Sequence, residues 1–231
     1  MIEILIDQKY RVYNSTSSKG MKEKYFYENK WYKVENNWHE ELVTNLLTHS
    51  TYGNFVKYKT CRINGKLGCV SETFLAHEDQ LWTVSKIYKY ATGKENINDE
   101  IFRMSEVVDR VAYVVALIDN FTGLESFEYL KTICYLDALI SNHDRHFNNI
   151  GFIYNNETGW REAPIYDNAS CLDPERKEEC ANFCGSHIAC MRAFDAGYQS
   201  PIKFDYDAIK KTCSHPVLLE NMERYKTFFS Q

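Results

Sequence analysis

The sequence predicts an α+β chain in two lobes, a small β-rich lobe over residues 1–85 and a larger helical lobe over residues 86–231. Two observations carry this. Up to about residue 75, short aromatic or β-branched runs alternate with polar turns, which is the punctuation of strands and hairpins. From about residue 99 onward, apolar residues recur at helical spacing over long windows. With 231 residues and 44% hydrophobic content, the chain is long and apolar enough to bury a sizeable core.

Residues 2–13 read as a strand and the approach to a second. NSTSSKGMKEK, residues 14–24, is a polar turn containing glycine. KYFYENKWYKVE, residues 24–35, is two aromatic-rich strands broken at Glu28, Asn29 and Lys30. WHEELVTNLLTH follows as a helix with Leu42, Leu46 and Leu47 on one face, and Asn37 with Glu40 resembles a capping pair. Residues 55–61 and 67–75 are strands around Asn64-Gly65-Lys66, a hairpin turn signal. In the second lobe, Ile101, Met104, Val108, Val111, Val115 and Ile118 predict a helix over 99–119. A second helix spans 124–141 through Phe127, Leu130, Cys134 and Leu136. Short strands near 150–155 and 163–166 precede a C-terminal helical region.

The net charge is −5, with no strongly basic tract, so the chain lacks the electrostatic footprint of a duplex-DNA binder. No apolar run is long enough to span a membrane. MIEILIDQKY lacks the charged start and apolar run of a secretion signal, so a cytoplasmic location is expected, with export as an effector left open. In that compartment the eight cysteines read mainly as buried thiols. Cys180, Cys184, His187 and Cys190 are the tightest group, but their spacing fits no common zinc pattern.

The chemistry concentrates in NHDRHFNNIGF, residues 142–152, where titratable and amide side chains press against the start of a core strand. Asp144 and Asn149 are five apart, and a second acid, Asp167, follows in APIYD. Phosphoryl transfer needs a carboxylate near the attacking hydroxyl and hard oxygen ligands for Mg²⁺. Asp144 suits the first task, and Asn149 with Asp167 suits the second.

NHDRHFNN followed by APIYD resembles the HipA-like serine/threonine kinases of bacteria, whose catalytic loop reads N-x-D-x-H-x-x-N and whose metal acid sits in a Y-D pair. Asn142, Asp144, His146, Asn149 and Asp167 match that pattern. DRHFNN is also similar to the D-R-H-x-x-N loop of phosphatidylinositol kinases. The resemblance implies a protein-kinase-like fold, ATP and Mg²⁺ as cofactors, a protein substrate with a Ser or Thr acceptor, and a small antitoxin partner. It assigns Asn142, Asp144 and His146 to the catalytic loop. A kinase also needs a cation on the ATP phosphates held by an acid from a neighbouring helix, which suits Lys33 with Glu40, preferred over Glu41, and order along the chain places residues 70–75 at the hinge strand. STSSKG, residues 15–20, would cover the phosphates, with Ser17, Ser18 and Lys19 as contacts and the serines as autophosphorylation sites.

The chain departs from the kinase pattern in three ways. Asn168 rather than Phe-Gly follows Asp167, no A-P-E element appears, and the chain is shorter than typical HipA proteins. Three alternatives stand beside the kinase reading. One is a nucleotide-binding pseudokinase. Another is a metal hydrolase built on His143, Asp144 and His146 with help from His187 or His215. The third, a lipid kinase, is disfavoured by the negative net charge.

Overall fold

A computed structural model describes residues 1–12, 23–35, 38–180, 182–194 and 202–229. The first lobe is a five-stranded sheet and one helix. Its elements are β1 (Ile2–Ile4), a 3-10 turn (Gln8–Tyr10), β2 (Lys24–Tyr27), β3 (Lys30–Val34), α1 (His39–Thr48), β4 (Tyr58–Ile63) and β5 (Lys66–Glu72). The order is β1-β4-β5-β3-β2, with β1 parallel to β4 and the other pairs antiparallel. Glu28 and Asn29 take positive φ in the β2–β3 turn, as Asn64 and Gly65 do in the β4–β5 turn. Two such residues in a row give the turn whose twist matches antiparallel strands.

Ile6, Tyr25, Tyr32, Cys61 and Ile63 form the small core of this sheet. The apolar face of α1 goes elsewhere: Leu42, Val43, Leu46 and Leu47 join the large core of the second lobe. The capping pair expected at this helix includes Asn37, which lies outside the described residues. Glu40, its other half, spends its carboxylate on Lys33 and the Asn168 backbone instead.

The second lobe opens with β6 (Gln80–Thr83), which pairs with β7 (Gly151–Asn155), itself paired with β8 (Gly159–Glu162). Its helices are α2 (Val84–Thr92), α3 (Asn98–Ile101), α4 (Val107–Thr122), α5 (Phe127–Ile140), α6 (His187–Phe194), α7 (Tyr206–Thr212), α8 (Pro216–Arg224) and α9 (Lys226–Phe229). The single helix expected over 99–119 is split, because Glu106 is extended and the Arg110 Nε donates to the Met104 carbonyl at 2.9 Å. The strand expected at 163–166 falls earlier, since Gly159 at φ 73° closes a tight hairpin. Ile165 instead makes a lone parallel bridge to Phe55.

That bridge and a second between Ser50 and Phe204 strap the lobes together. From Tyr129 to Ile140 every residue of α5 is buried, including Lys131 and Asp137. This helix is the axle of the second lobe, and its C-terminal end delivers the 142–149 loop.

One glycine sets the close approach of β5 to β3. A Cβ on Gly68 would collide with the Lys33 carbonyl oxygen and come within 2.7 Å of the Ile63 side chain. Gly68→Ala is expected to cost roughly 1–3 kcal/mol, the usual penalty for overpacking. Gly53→Ala is the control, since a Cβ there meets nothing within 4 Å. Urea unfolding of the two variants beside the wild type measures the difference.

Candidate active site

The 142–149 loop starts where α5 stops. Ser141 ends the helix in the left-handed region at φ 47°, a conformation glycine usually supplies. A serine is held there because its Oγ accepts a 2.8 Å bond from Asn221 of α8. The Asn142 amide nitrogens then fold back on Asp137, backbone to backbone at 2.9 Å and Nδ2 to Oδ1 at 3.0 Å. Asn142 Oδ1 accepts from the Asp144 backbone N–H at 3.0 Å. The Asp144 carbonyl accepts from the His146 N–H at 2.9 Å and from Asn149 Nδ2 at 3.1 Å. These bonds fix the backbone on both sides of Asp144 while its side chain stays exposed. His146 is likewise exposed.

Arg145 organises the site, a role that the spacing of the motif does not assign to it. It is 1% exposed and forks onto Asp137, which is fully buried. Nε lies 3.2 and 3.1 Å from the two carboxylate oxygens, and Nη2 lies 3.1 Å from Oδ1. Nη1 donates to the Asn149 carbonyl at 3.0 Å and to the Tyr166 carbonyl at 2.7 Å. Nη2 also donates to the Asn168 side-chain oxygen. One guanidinium therefore ties the 142–149 loop to the 166–168 segment. Burial works against its charge, but Asp137 outweighs that and raises its pKa further. Asp137 was missed from sequence. Its signal was present: an acid amid the apolar C-terminal half of this helix, ICYLDALI, needs a buried partner.

Asp167 stands in the left-handed region at φ 60°, an unusual conformation for a non-glycine residue. Tyr58 OH accepts from its backbone N–H at 3.4 Å, and the next N–H, of Asn168, donates to Glu40 Oε2 at 3.1 Å. Its carboxylate pairs with Lys33 Nζ at 3.0 Å, and the same ammonium meets Glu40 Oε1 at 3.2 Å. Tyr58 OH lies 3.4 Å from Lys33 Nζ as well. The structure thus brings Lys33, Glu40 and Asp167 together, and Glu40 rather than Glu41 makes the pair. Glu41 instead accepts from the Thr60 backbone at 3.1 Å.

Burial opposes the Lys33 charge, yet Asp167, Tyr58 and Glu40 outweigh it and hold its pKa well above the ordinary range. For Asp167, burial acts upward, but Lys33 dominates and keeps the carboxyl far below its usual value. Glu40 is pushed upward by burial against the pull of Lys33. The shared ammonium therefore sides with Asp167.

Glu35, Glu40 and Asp167 come close enough to share an ion, but Lys33 Nζ already sits between two of them. The residues that could hold Mg²⁺ instead are Asp167, whose side chain is 29% exposed, and Asn149. Asn149 spends its amide nitrogen on the Asp144 carbonyl, which leaves its side-chain oxygen to serve a cation. Hard oxygen donors of this kind suit Mg²⁺.

His143, Asp144 and His146 do not assemble as a group able to share one ion among the described residues. His39, His143 and His215 do line a cavity of about 350 Å³. There the His39 and His215 rings stand 6.0 Å apart, and His39 Nδ1 lies 3.3 Å from the Ala169 carbonyl oxygen. His187 is buried in α6. The hydrolase alternative loses its ligand set. The four-ligand zinc idea fails too, because Cys184 and Cys190 turn to Cys134 rather than to His187. Ser17, Ser18 and Lys19 lie outside the described residues.

No protein-family model and no curated protein matches the chain. Solved structures do. The Helicobacter pylori proinflammatory kinase CtkA matches with a TM-score of 0.50 and 20% identity, over 75% of this chain and 62% of that one. A Shewanella oneidensis MR-1 toxin–antitoxin complex of HipA, HipB and operator DNA matches with a TM-score of 0.49 and 16% identity, over 95% of this chain and 57% of that one. This chain therefore spans less than two thirds of the length of either. At such identities the likeness to CtkA defines the fold. It is a kinase-like, two-lobed α+β fold.

Two measurements test the electrostatics. Asp137→Asn leaves the Arg145 charge buried without its counter-ion and is expected to cost about 3–5 kcal/mol in urea unfolding. Lys33→Met strips the counter-charge from Asp167 and Glu40. Its cost should be smaller, about 2–3 kcal/mol, because 29% of the Asp167 side chain reaches solvent. The sign with pH follows from the shifts. The depressed Asp167 stabilises above its unfolded pKa of about 3.9, and that contribution fades as pH falls through the folded value. The Lys33 contribution is complete below about pH 10.4 and fades only as pH rises through its elevated folded value. The deficit of Lys33→Met should therefore hold from pH 7 down to about 4 and shrink only as the pH falls further, through the folded pKa of Asp167.

Proposed function

We propose that the chain is an ATP-dependent serine/threonine protein kinase of the HipA-like type. The observation that carries this reading is the Lys33 ammonium held between Glu40 and Asp167, on a segment that Arg145 bolts to the Asp144–Asn149 loop. A fixed cation, a metal-side acid and a positioned carboxylate are the parts that phosphoryl transfer requires.

In this reading Lys33 meets phosphate oxygens of ATP with its charge already secured. Asp144, fixed through its backbone, orients the acceptor hydroxyl and takes its proton as the oxygen bonds to the γ-phosphorus. ADP leaves. Mg²⁺, when bound, neutralises the phosphates, and Asn149 with Asp167 would hold it. Asn142 keeps the Asp144 backbone in place through its side-chain oxygen. His146 contributes its backbone N–H to the same turn. The acceptor we assign is a Ser or Thr hydroxyl of a protein, and a small antitoxin-like partner follows from the sequence resemblance alone. Among the described residues no helix is long and apolar enough to cross a membrane.

The test is transfer from γ-labelled ATP with Mg²⁺, to the chain itself and to a mixed protein substrate, for wild type and Asp144→Asn. Loss of a positioned base should lower transfer by about 10²-fold or more. Nucleotide-induced thermal stabilisation should survive in that variant. Equal labelling of both proteins removes the role given to Asp144. Stabilisation by ATP without labelling of any acceptor favours the pseudokinase.

A further inference from the structure

Three buried cysteines that the proposed chemistry does not use meet behind the 142–149 loop. Cys190 of α6 has its Sγ 2.6 Å from Cys184 and 2.7 Å from Cys134 of α5. All three are free thiols, with exposures of 0%, 3% and 2% for Cys190, Cys184 and Cys134. Sequence spacing pointed to a different set, because Cys134 lies 56 residues from Cys190.

Two chemistries bring sulfurs together, and the distances separate them. A trigonal thiolate site with metal–sulfur bonds of about 2.3 Å holds its sulfurs about 4 Å apart. A disulfide needs about 2.05 Å. At 2.6 and 2.7 Å, the sulfurs need to close by about 0.6 Å for a disulfide but to spread by more than an ångström for an ion. We propose that Cys184, Cys190 and Cys134 form a thiol–disulfide site, in which Cys190 bonds first to Cys184 and then, by exchange, to Cys134.

The electrostatics name the attacking sulfur. Burial opposes ionisation of Cys184, but the thiols of Cys134 and Cys190 and the Arg110 guanidinium outweigh it and bring its pKa to about 5. Burial pushes Cys134 and Cys190 well upward. The oxidant is a peroxide. The Cys184 thiolate attacks one oxygen, the O–O bond breaks, and with a proton the first water leaves, giving a sulfenic acid. The Cys190 sulfur displaces the sulfenic oxygen, which leaves with the thiol proton as the second water. Two thiols are oxidised and one peroxide is reduced. Cys134 then attacks the Cys190 sulfur, and Cys184 departs as the thiol. The exchanged bond staples α6 to α5 one turn before Asp137. The first bond forms one residue from Phe183, whose ring stacks on Phe147 at 5.6 Å.

The test treats the full chain with low hydrogen peroxide, counts thiols after denaturation, and maps non-reduced peptides by mass. Wild type should fall from its eight thiols to six. The mass should drop by about 2 Da, reversed by dithiothreitol. Every cross-linked peptide should contain Cys190, joined to Cys184 or Cys134. Cys190→Ser should form no cross-linked peptide, its oxidation stopping at the Cys184 sulfenic acid. Cys184→Ser should form only the Cys134–Cys190 bond, and more slowly. The wild-type map decides the matter even if a variant fails to fold. No thiol loss, a bond that omits Cys190, or stoichiometric zinc or copper(I) released by a chelator would overturn the proposal. None of these readouts depends on phosphoryl transfer, so the two proposals can fail separately.

Discussion

The buried Arg145–Asp137 fork is the constraint on which the rest of the site depends. A buried ion pair adds little net stability, because desolvating both charges offsets their attraction. Its effect is on geometry. Asp137 is anchored in the fully buried helix α5, and Arg145 lies in the loop that this helix releases. The guanidinium has donors left over after gripping the acid, and it spends them on the carbonyls of Asn149 and Tyr166 and on the Asn168 amide. Two chain segments some 20 residues apart are thereby set relative to one another by a planar group that cannot lose its proton. A lysine could not do this, having no flat fork to reach three directions at once.

The second charged cluster depends on the first. Asn168 is held by Arg145 on one side, and its backbone N–H donates to Glu40 on the other. Asp167, one residue earlier, is thereby kept in its left-handed conformation, with its carboxylate on Lys33. The lobes are joined through charge as well as through the straps at Phe55–Ile165 and Ser50–Phe204. Moving the first lobe away from the second would carry the Lys33 cation off the Asp167 carboxylate.

Much of this was legible in the sequence. Asn64-Gly65 announced its hairpin, Leu42, Leu46 and Leu47 announced α1, and the spacing of Asp144, Asn149 and Asp167 marked the site. What was not legible has physical reasons. The break between α3 and α4 is invisible to periodicity, because Ile101, Met104 and Val108 continue a helical pattern across it. The break is stabilised by a side chain, Arg110, bonding the Met104 carbonyl. Strand β6 has four residues and finds its partner, β7, far along the chain. Such a pairing leaves little local trace. Arg145 looks like an ordinary loop residue in one dimension, and the apolar helix around Asp137 says that the acid needs a partner without saying which. Only the fold shows that each exists for the other.

The allegiance of α1 has a consequence for control. This helix carries Glu40, yet its four buried apolar side chains pack into the core of the second lobe, each no more than 2% exposed. Re-exposing them would cost about 1.5–3 kcal/mol apiece, roughly 6–12 kcal/mol together. At 1.4 kcal/mol per tenfold change, a state with α1 swung outward would hold at most about one molecule in ten thousand. A regulator acting by that swing would need a comparable difference in affinity for the two states. Switching this molecule by rotating α1 away is therefore thermodynamically remote. A cheaper route is to bias elements that do not carry the shared core.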